Sequence, residues 1–220
     1  MNIRAGTGFI KAEPPSAIDS TAIGIVILAA GASTRMGTPK QLLFYGGRSF
    51  VDHTVEVAIA SGCQPIVVVL GAYAEQIKPE ISQLTVQVVE TQQWVEGMSA
   101  SIRTGIKALN VTKKNLDAVV ILLCAQPFIS SQLINQLVTA YYSTGKPIIA
   151  SEYAGTLGVP ALFGKSFFSE LTTLRGGEGA KQVIKKHVHQ VFGIPFTAGA
   201  IDIDTTKDYQ FLQALAAHEF

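Results

Sequence analysis

Three observations in this sequence predict an α/β fold, with a doubly wound, mostly parallel sheet and helices on both faces. Apolar runs of strand length recur, among them residues 23–29, 65–70 and 117–124. Segments of helical period alternate with them. The runs also lack the polar alternation of a half-wetted strand, which suits strands buried on both faces. With 48% hydrophobic and 15% charged residues among 220, the chain has ample material for a core. Seventeen Lys and Arg against sixteen Asp and Glu leave a charge of +1. That is not the basic excess with which nucleic-acid binders hold phosphates.

Taken in order, residues 1–22 carry Gly6, Gly8, Pro14 and Pro15 without a sustained period. They read as a flexible tail before a single domain over 23–220. Arg4, Lys11 and Glu13 stand where a secretory signal needs an apolar core. No apolar stretch reaches the ~18–20 residues that cross a bilayer. With two isolated thiols, Cys63 and Cys124, a cytoplasmic protein is expected, with no membrane partner. After the first strand, Phe50, Val51, Val55, Ala58 and Ile59 set a helical period over 49–61, ended by Gly62 and Pro65. A strand over 65–70, a short helix over 74–79 and a strand over 85–89 follow. Next come a helix over 97–109, the central strand 117–124 and a helix over 130–142 capped by Ser130 or Ser131. A strand over 147–150 leads through a Gly-rich stretch to a helix over 179–187 and a strand over 190–192. A last helix spans 205–217, capped by Asp204 or Thr205. In such sheets ligands bind beyond the C-terminal strand ends, so the loops after Ala29, Leu70, Glu90 and Cys124 are where chemistry is expected.

The first of these loops is the most informative. Leu28-Ala29-Ala30-Gly31-Ala32-Ser33-Thr34-Arg35-Met36-Gly37 leaves the first strand, and Lys40 follows. Small residues let the backbone approach a ligand, and successive N–H groups can cradle anionic oxygens. Arg35 offers a fork for phosphate and Lys40 a mobile point charge. Gly31 and Gly37 enclose five residues, so a Walker A loop does not fit, and Ser33 breaks a Rossmann Gly-x-Gly-x-x-Gly. His53, His187, His189 and His218 keep no metal-ligand spacing from Cys or Asp and read as surface or satisfied side chains. Trp94 can pack or stack on a ligand ring.

The ten-residue string followed by Lys40 resembles the signature of nucleotidyltransferases that activate sugars, polyols or pterin cofactors. From about Ile23 to Leu215 the chain resembles the MobA-like nucleotidyltransferases, most nearly their molybdenum cofactor cytidylyltransferase branch. Gly97-Met98-Ser99-x-Ser101-Ile102-Arg103-x-Gly105 matches that group's Gly-Met-Ser-x-Ser segment. Residues 155–163 resemble its acceptor-side segment, and 174–181 its Leu-x-Gly-Asp-x-Gly-Ala-Arg segment. Asp202-Ile203-Asp204-Thr205-x-x-Asp208 matches its closing motif. The resemblance implies a Rossmann-like nucleotidyltransferase fold that transfers CMP from CTP to a molybdopterin-type cofactor and releases pyrophosphate. It implies a nucleotide site of Leu28, Ala29, Ala30, Gly31, Ser33, Arg35, Lys40, Ser99 and Ser101, with Arg35 and Lys40 as the catalytic pair. Gly158 and Pro160 would meet the substrate to be modified, and Asp202 and Asp204 would hold Mg²⁺, Asp202 being the stronger candidate. The implied partners are a nucleoside triphosphate, a phosphorylated small-molecule acceptor and a molybdoenzyme in maturation.

Two departures stand out. Ala125 occupies the place where the family carries an Asp expected to hold the metal, and Gly177 replaces another Asp. Asp117 lies eight residues upstream of Ala125, roughly 25 Å along an extended strand, too far to substitute. Two other readings therefore stay open: a sugar- or polyol-phosphate nucleotidyltransferase, and a nucleotide-binding homologue with impaired catalysis.

Overall fold

The computed structural model describes residues 22–217; the expected tail, apart from Ala22, and residues 218–220 lie outside the described residues. The first strand, β1 (Ile23–Ala29), is buried along its whole length. Its side chains alternate between two cores: Ile23, Ile25 and Ile27 enter one, Val26 and Leu28 the other. A strand wetted on neither face has no position for a polar residue, which explains the uninterrupted apolar run.

A short hairpin follows, β2 (Phe44–Tyr45) and β3 (Arg48–Ser49), then α1 (Phe50–Ala60), β4 (Ile66–Leu70), α2 (Ala74–Ile81) and β5 (Gln87–Glu90). Next come α3 (Met98–Thr112), β6 (Ala118–Leu123), α4 (Ser131–Thr144), β7 (Ile148–Tyr153) and β8 (Thr156–Gly164). The chain continues through α5 (Phe168–Leu171), α6 (Lys181–Lys186), β9 (Val191–Pro195) and α7 (Thr206–Ala217). Seven strands form one sheet in the order β5-β4-β1-β6-β8-β7-β9, with only β8 antiparallel to its neighbours. Phe50 of α1, Ile77 of α2, Ile134 of α4 and Leu212 of α7 join the core on one face. Ile102 and Ile106 of α3, Leu171 of α5 and Val183 of α6 join the core on the other. The sheet is thus covered on both faces, as the sequence predicts.

Some details correct the sequence reading and others settle its alternatives. The Gly-rich stretch after β7 contains β8, nine residues long, and the 44–49 hairpin was not foreseen. Ser130, not Ser131, caps α4, its Oγ accepting from the Leu133 N–H at 3.2 Å. The helix expected over 97–109 runs Met98–Thr112, with Gly97 as its cap. At α7 the cap is Thr205: its Oγ1 accepts from the Asp208 N–H, while Asp208 accepts from the Thr205 N–H. That reciprocal pair satisfies the helix start and leaves the Asp204 carboxylate for other work.

Helix α3 lies close against the sheet because Gly105 faces it. A Cβ there would stand 2.4 Å from Cγ1 of Val26 and 3.1 Å from Cγ2 of Val69, both fully buried. Gly105→Ala would gain ~1 kcal/mol of helix propensity. Overpacking of a closed core typically costs about 1–3 kcal/mol, and a contact this short belongs at the upper end. We expect a net loss of about 1–2 kcal/mol, read as a lower midpoint in thermal or urea unfolding.

Candidate active site

β1 and β6 are neighbours, yet the chain leaves β1 toward β4 and leaves β6 toward β7. Their diverging loops open a crevice at the C-terminal edge, the switch point of a doubly wound sheet. A cavity of about 310 Å³ occupies it. Leu28, Ala30 and Gly31 line it from the β1 side, Leu123, Cys124 and Ala125 from the β6 side. Arg35, Lys40, Ser101, Trp94, Asp202 and Asp204 complete the chemically informative walls.

The loop after β1 is held by a residue that sequence reasoning missed. Gln41 is buried, and its Nε2 donates to the carbonyls of Ala29 at 2.8 Å and Gly31 at 2.9 Å. The Ala30 carbonyl accepts from the Ala72 N–H. Ser33 has φ +50°, and its Oγ accepts from the Lys40 N–H at 3.0 Å. Three consecutive carbonyls are therefore engaged within the protein. The N–H groups of residues 31–35 have no partner among the described residues. The loop thus presents donors, as an anion cradle requires. The signal for Gln41 was an amide directly beside Lys40, just before the apolar pair Leu42-Leu43.

Arg35 and Lys40 converge on one carboxylate. Arg35 Nη2 donates to Asp204 Oδ2 at 2.7 Å, and Lys40 Nζ donates to Asp204 Oδ1 at 3.0 Å. Partial burial opposes the Asp204 charge, yet the Lys40 ammonium and the Arg35 guanidinium outweigh it and hold the carboxyl below its ordinary pKa. Asp202 behaves oppositely. Burial pushes its carboxyl up against the pull of Lys40, and the Asp204 charge adds to the rise. The Ile203 N–H donates to the Ala125 carbonyl at 3.2 Å, which ties the two-aspartate segment to the end of β6 beside Ala125. Burial raises the Cys124 thiol to about 12, so it stays protonated near neutrality and is no nucleophile.

The expected nucleotide residues divide. Leu28, Ala30, Gly31, Arg35, Lys40 and Ser101 line the cavity. Ala29 and Ser33 support the loop from behind it. Ser99 is fully buried, with an unpartnered Oγ, and does not line the cavity. A smaller cavity of about 140 Å³ adjoins the first through Leu28, Met98 and Leu123. Gly158 lines this second cavity together with Tyr153, Glu178 and Lys181. Pro160 does not; it is buried, and its carbonyl accepts from Ser151 Oγ at 2.7 Å. Trp94 both lines the larger cavity and packs on the core below.

Arg103 ties the walls together. It donates to the Leu174 carbonyl at 2.7 Å, to Glu96 at 2.6 Å and to Gln93 at 3.2 Å. This draws the 174–180 segment over Gly97, where a φ of +91° disfavours any side chain and an added Cβ would stand 3.0 Å from the Gly177 Cα. Asp117 sits at the opposite end of β6, where Tyr142 Oη donates to its carboxylate at 3.4 Å.

No group of three or more His, Cys, Asp or Glu that could hold a metal by itself exists among the described residues. Asp202 and Asp204 do suit a hard divalent cation whose remaining ligands are phosphate oxygens and water, the usual pattern for Mg²⁺.

A family model described as the MobA-like NTP transferase domain matches residues 25–191. Nicotine blue oxidoreductase of Paenarthrobacter nicotinovorans is 33% identical over 117 residues, 53% of this chain and 55% of that protein. The chain therefore spans about half the length of this curated relative. The Rv0371c homolog from Mycobacterium sp. strain JC1 superposes with a TM-score of 0.79 at 28% identity, covering 91% of this chain and 99% of that one. Rv0371c of Mycobacterium tuberculosis H37Rv, solved in complex with manganese, gives a TM-score of 0.72 at 26% identity, covering 86% and 97%.

Proposed function

The chain belongs to the MobA-like NTP transferase family, and from that premise we propose that it transfers CMP from CTP to a molybdopterin-type acceptor. The observation that carries this reading is the convergence of Arg35, Lys40 and two carboxylates on the cavity at the β1–β6 switch point. An acceptor phosphate oxygen attacks the α-phosphorus, a new anhydride bond forms, and the α–β bond breaks to release pyrophosphate. The protein supplies no covalent nucleophile; it positions groups and balances charge. Arg35 and Lys40 grip the triphosphate, with Lys40 nearest the transferred group. The base lies against residues 28–31, and Ser101 contacts the nucleotide from α3. Asp202 and Asp204 would hold Mg²⁺, which neutralises charge on the phosphate oxygens when bound. The manganese in Rv0371c supports a divalent ion here. The acceptor enters on the Gly158 side.

We read residues 23–220 as one nucleotidyltransferase domain working in the cytoplasm on small molecules, with a molybdoenzyme receiving the product. No helix among the described residues is long and apolar enough to cross a membrane. Incubated with Mg²⁺ and molybdopterin, the protein should release pyrophosphate from CTP in preference to GTP, ATP and UTP. Absence of both turnover and triphosphate preference would refute the enzyme reading, and turnover with a sugar or polyol phosphate instead would redirect the acceptor. Ala125 favours a second reading, a nucleotide-binding module without transfer. That one relative carries the name of an oxidoreductase supports other uses of the same frame.

A further inference from the structure

The two cations proposed to grip the triphosphate already hold an anion of their own. Both oxygens of Asp204 are taken, one by the Arg35 guanidinium and one by the Lys40 ammonium. Asp202, in the same cavity, makes no ion pair among the described residues. Asp204 is also fixed from behind, since its N–H donates to Asp208 Oδ2 at 3.1 Å and Asp208 belongs to the α7 cap. Two cations facing two carboxylates leave the cavity walls without net formal charge. Such a site does not attract a polyanion strongly, however well its donors are aimed.

We propose that Asp204 is a built-in stand-in for a phosphate, a specificity-determining carboxylate that admits the triphosphate as its divalent-metal complex and resists the bare polyanion. This rests on the reading of the cavity as a triphosphate site. A bare triphosphate reaching Arg35 and Lys40 must displace Asp204 and leave that carboxylate facing phosphate oxygens, with like charges opposed. A triphosphate carrying a divalent cation gives the displaced Asp204 a positive partner, so the exchange of partners costs little. Each ion pair is modest at this exposure, with the Arg35 side chain 67% accessible. Two pairs lost together, with a repulsion gained, correspond to about tenfold in affinity. The preference for a metal complex then resides partly in the apoprotein, before any ion is bound.

The test uses inorganic tripolyphosphate, which has no base to read, titrated calorimetrically into the full chain in the presence of EDTA. Asp204→Asn should bind it about tenfold more tightly than the wild type. Asp202→Asn removes a charge from the same cavity but leaves both ion pairs, and it should gain less than about threefold. With Mg²⁺ present, the advantage of Asp204→Asn should vanish or reverse. No gain in Asp204→Asn, or an equal gain in Asp202→Asn, would overturn the proposal. Asp204→Ser replaces the Asn variant if circular dichroism shows the latter unfolded. Should both unfold, the wild type decides: enhancement of its tripolyphosphate affinity by Mg²⁺ of less than about threefold overturns the idea. Repeating the titrations with CTP separates the two levels of inference. CTP binding no tighter than tripolyphosphate in every protein would sink the nucleotide reading while leaving the Asp204 result standing.

Discussion

Ala125→Asp is expected to raise the rate of pyrophosphate release from CTP, with Mg²⁺ and a molybdopterin acceptor, by at least ~10²-fold, the effect of restoring one well-placed electrostatic group. The position is suited to it. Residue 125 follows β6, lines the same cavity as Lys40, Asp202 and Asp204, and its carbonyl is bonded to Ile203 between the two aspartates. Ala125 is itself buried, but it lines the cavity beyond the end of β6, so a carboxylate added there has that space to enter. It would give a divalent ion a further oxygen in a set that otherwise depends on the 202–204 segment alone. Steady-state kinetics with calorimetric CTP binding checks this. An unchanged rate with intact binding would identify a repurposed binding module.

The second large effect is charge reversal in the cradle. Arg35→Glu combined with Lys40→Glu should weaken binding of CTP with Mg²⁺ by at least ~10²-fold. Hydrogen bonds to charged groups are worth about 1.5–3 kcal/mol each, and two are replaced by repulsions. Stability should change little by comparison, because the pairs lost with Asp204 are partly exposed. Calorimetry read beside thermal unfolding separates the two effects. CTP affinity indifferent to both reversals would remove the basis for every role given to this loop.

Much of this was legible beforehand, and for physical reasons. β1 and β6 are buried on both faces, so burial alone writes an apolar run that needs no context to read. The loop after β1 was legible as a cavity wall because small residues and two cations directly follow an apolar strand end. β8 was not: it holds Gly158 and Pro160 and starts immediately after a Gly turn, so local propensity argues against a strand that pairing on both sides nonetheless builds. Ser99 and Ser101 are equivalent in a string of letters. Only the rotation of α3 buries the first and opens the second to the cavity. Gln41 gave no more than the faint signal of an amide beside Lys40, because its partners are backbone carbonyls ten and twelve residues back. Asp204 and Thr205, the two cap candidates at the last helix, could not be ranked until the Thr205–Asp208 exchange was seen.

The lone reversed strand divides the sheet's responsibilities. On one side of it lie β1, β4, β5 and β6, with the loop that carries Arg35; the reversed strand β8 itself carries Gly158 and pairs on its far side with β7, the two joined by the turn at residues 154–155. On the proposed function, evolution could therefore reshape the β7–β8 ribbon for a new molecule to be tagged while inheriting the tagging end unaltered. Leu28, Met98 and Leu123, which line both cavities, must satisfy both at once, and on the proposed function a family built this way should diversify by changing clients more readily than by changing currency.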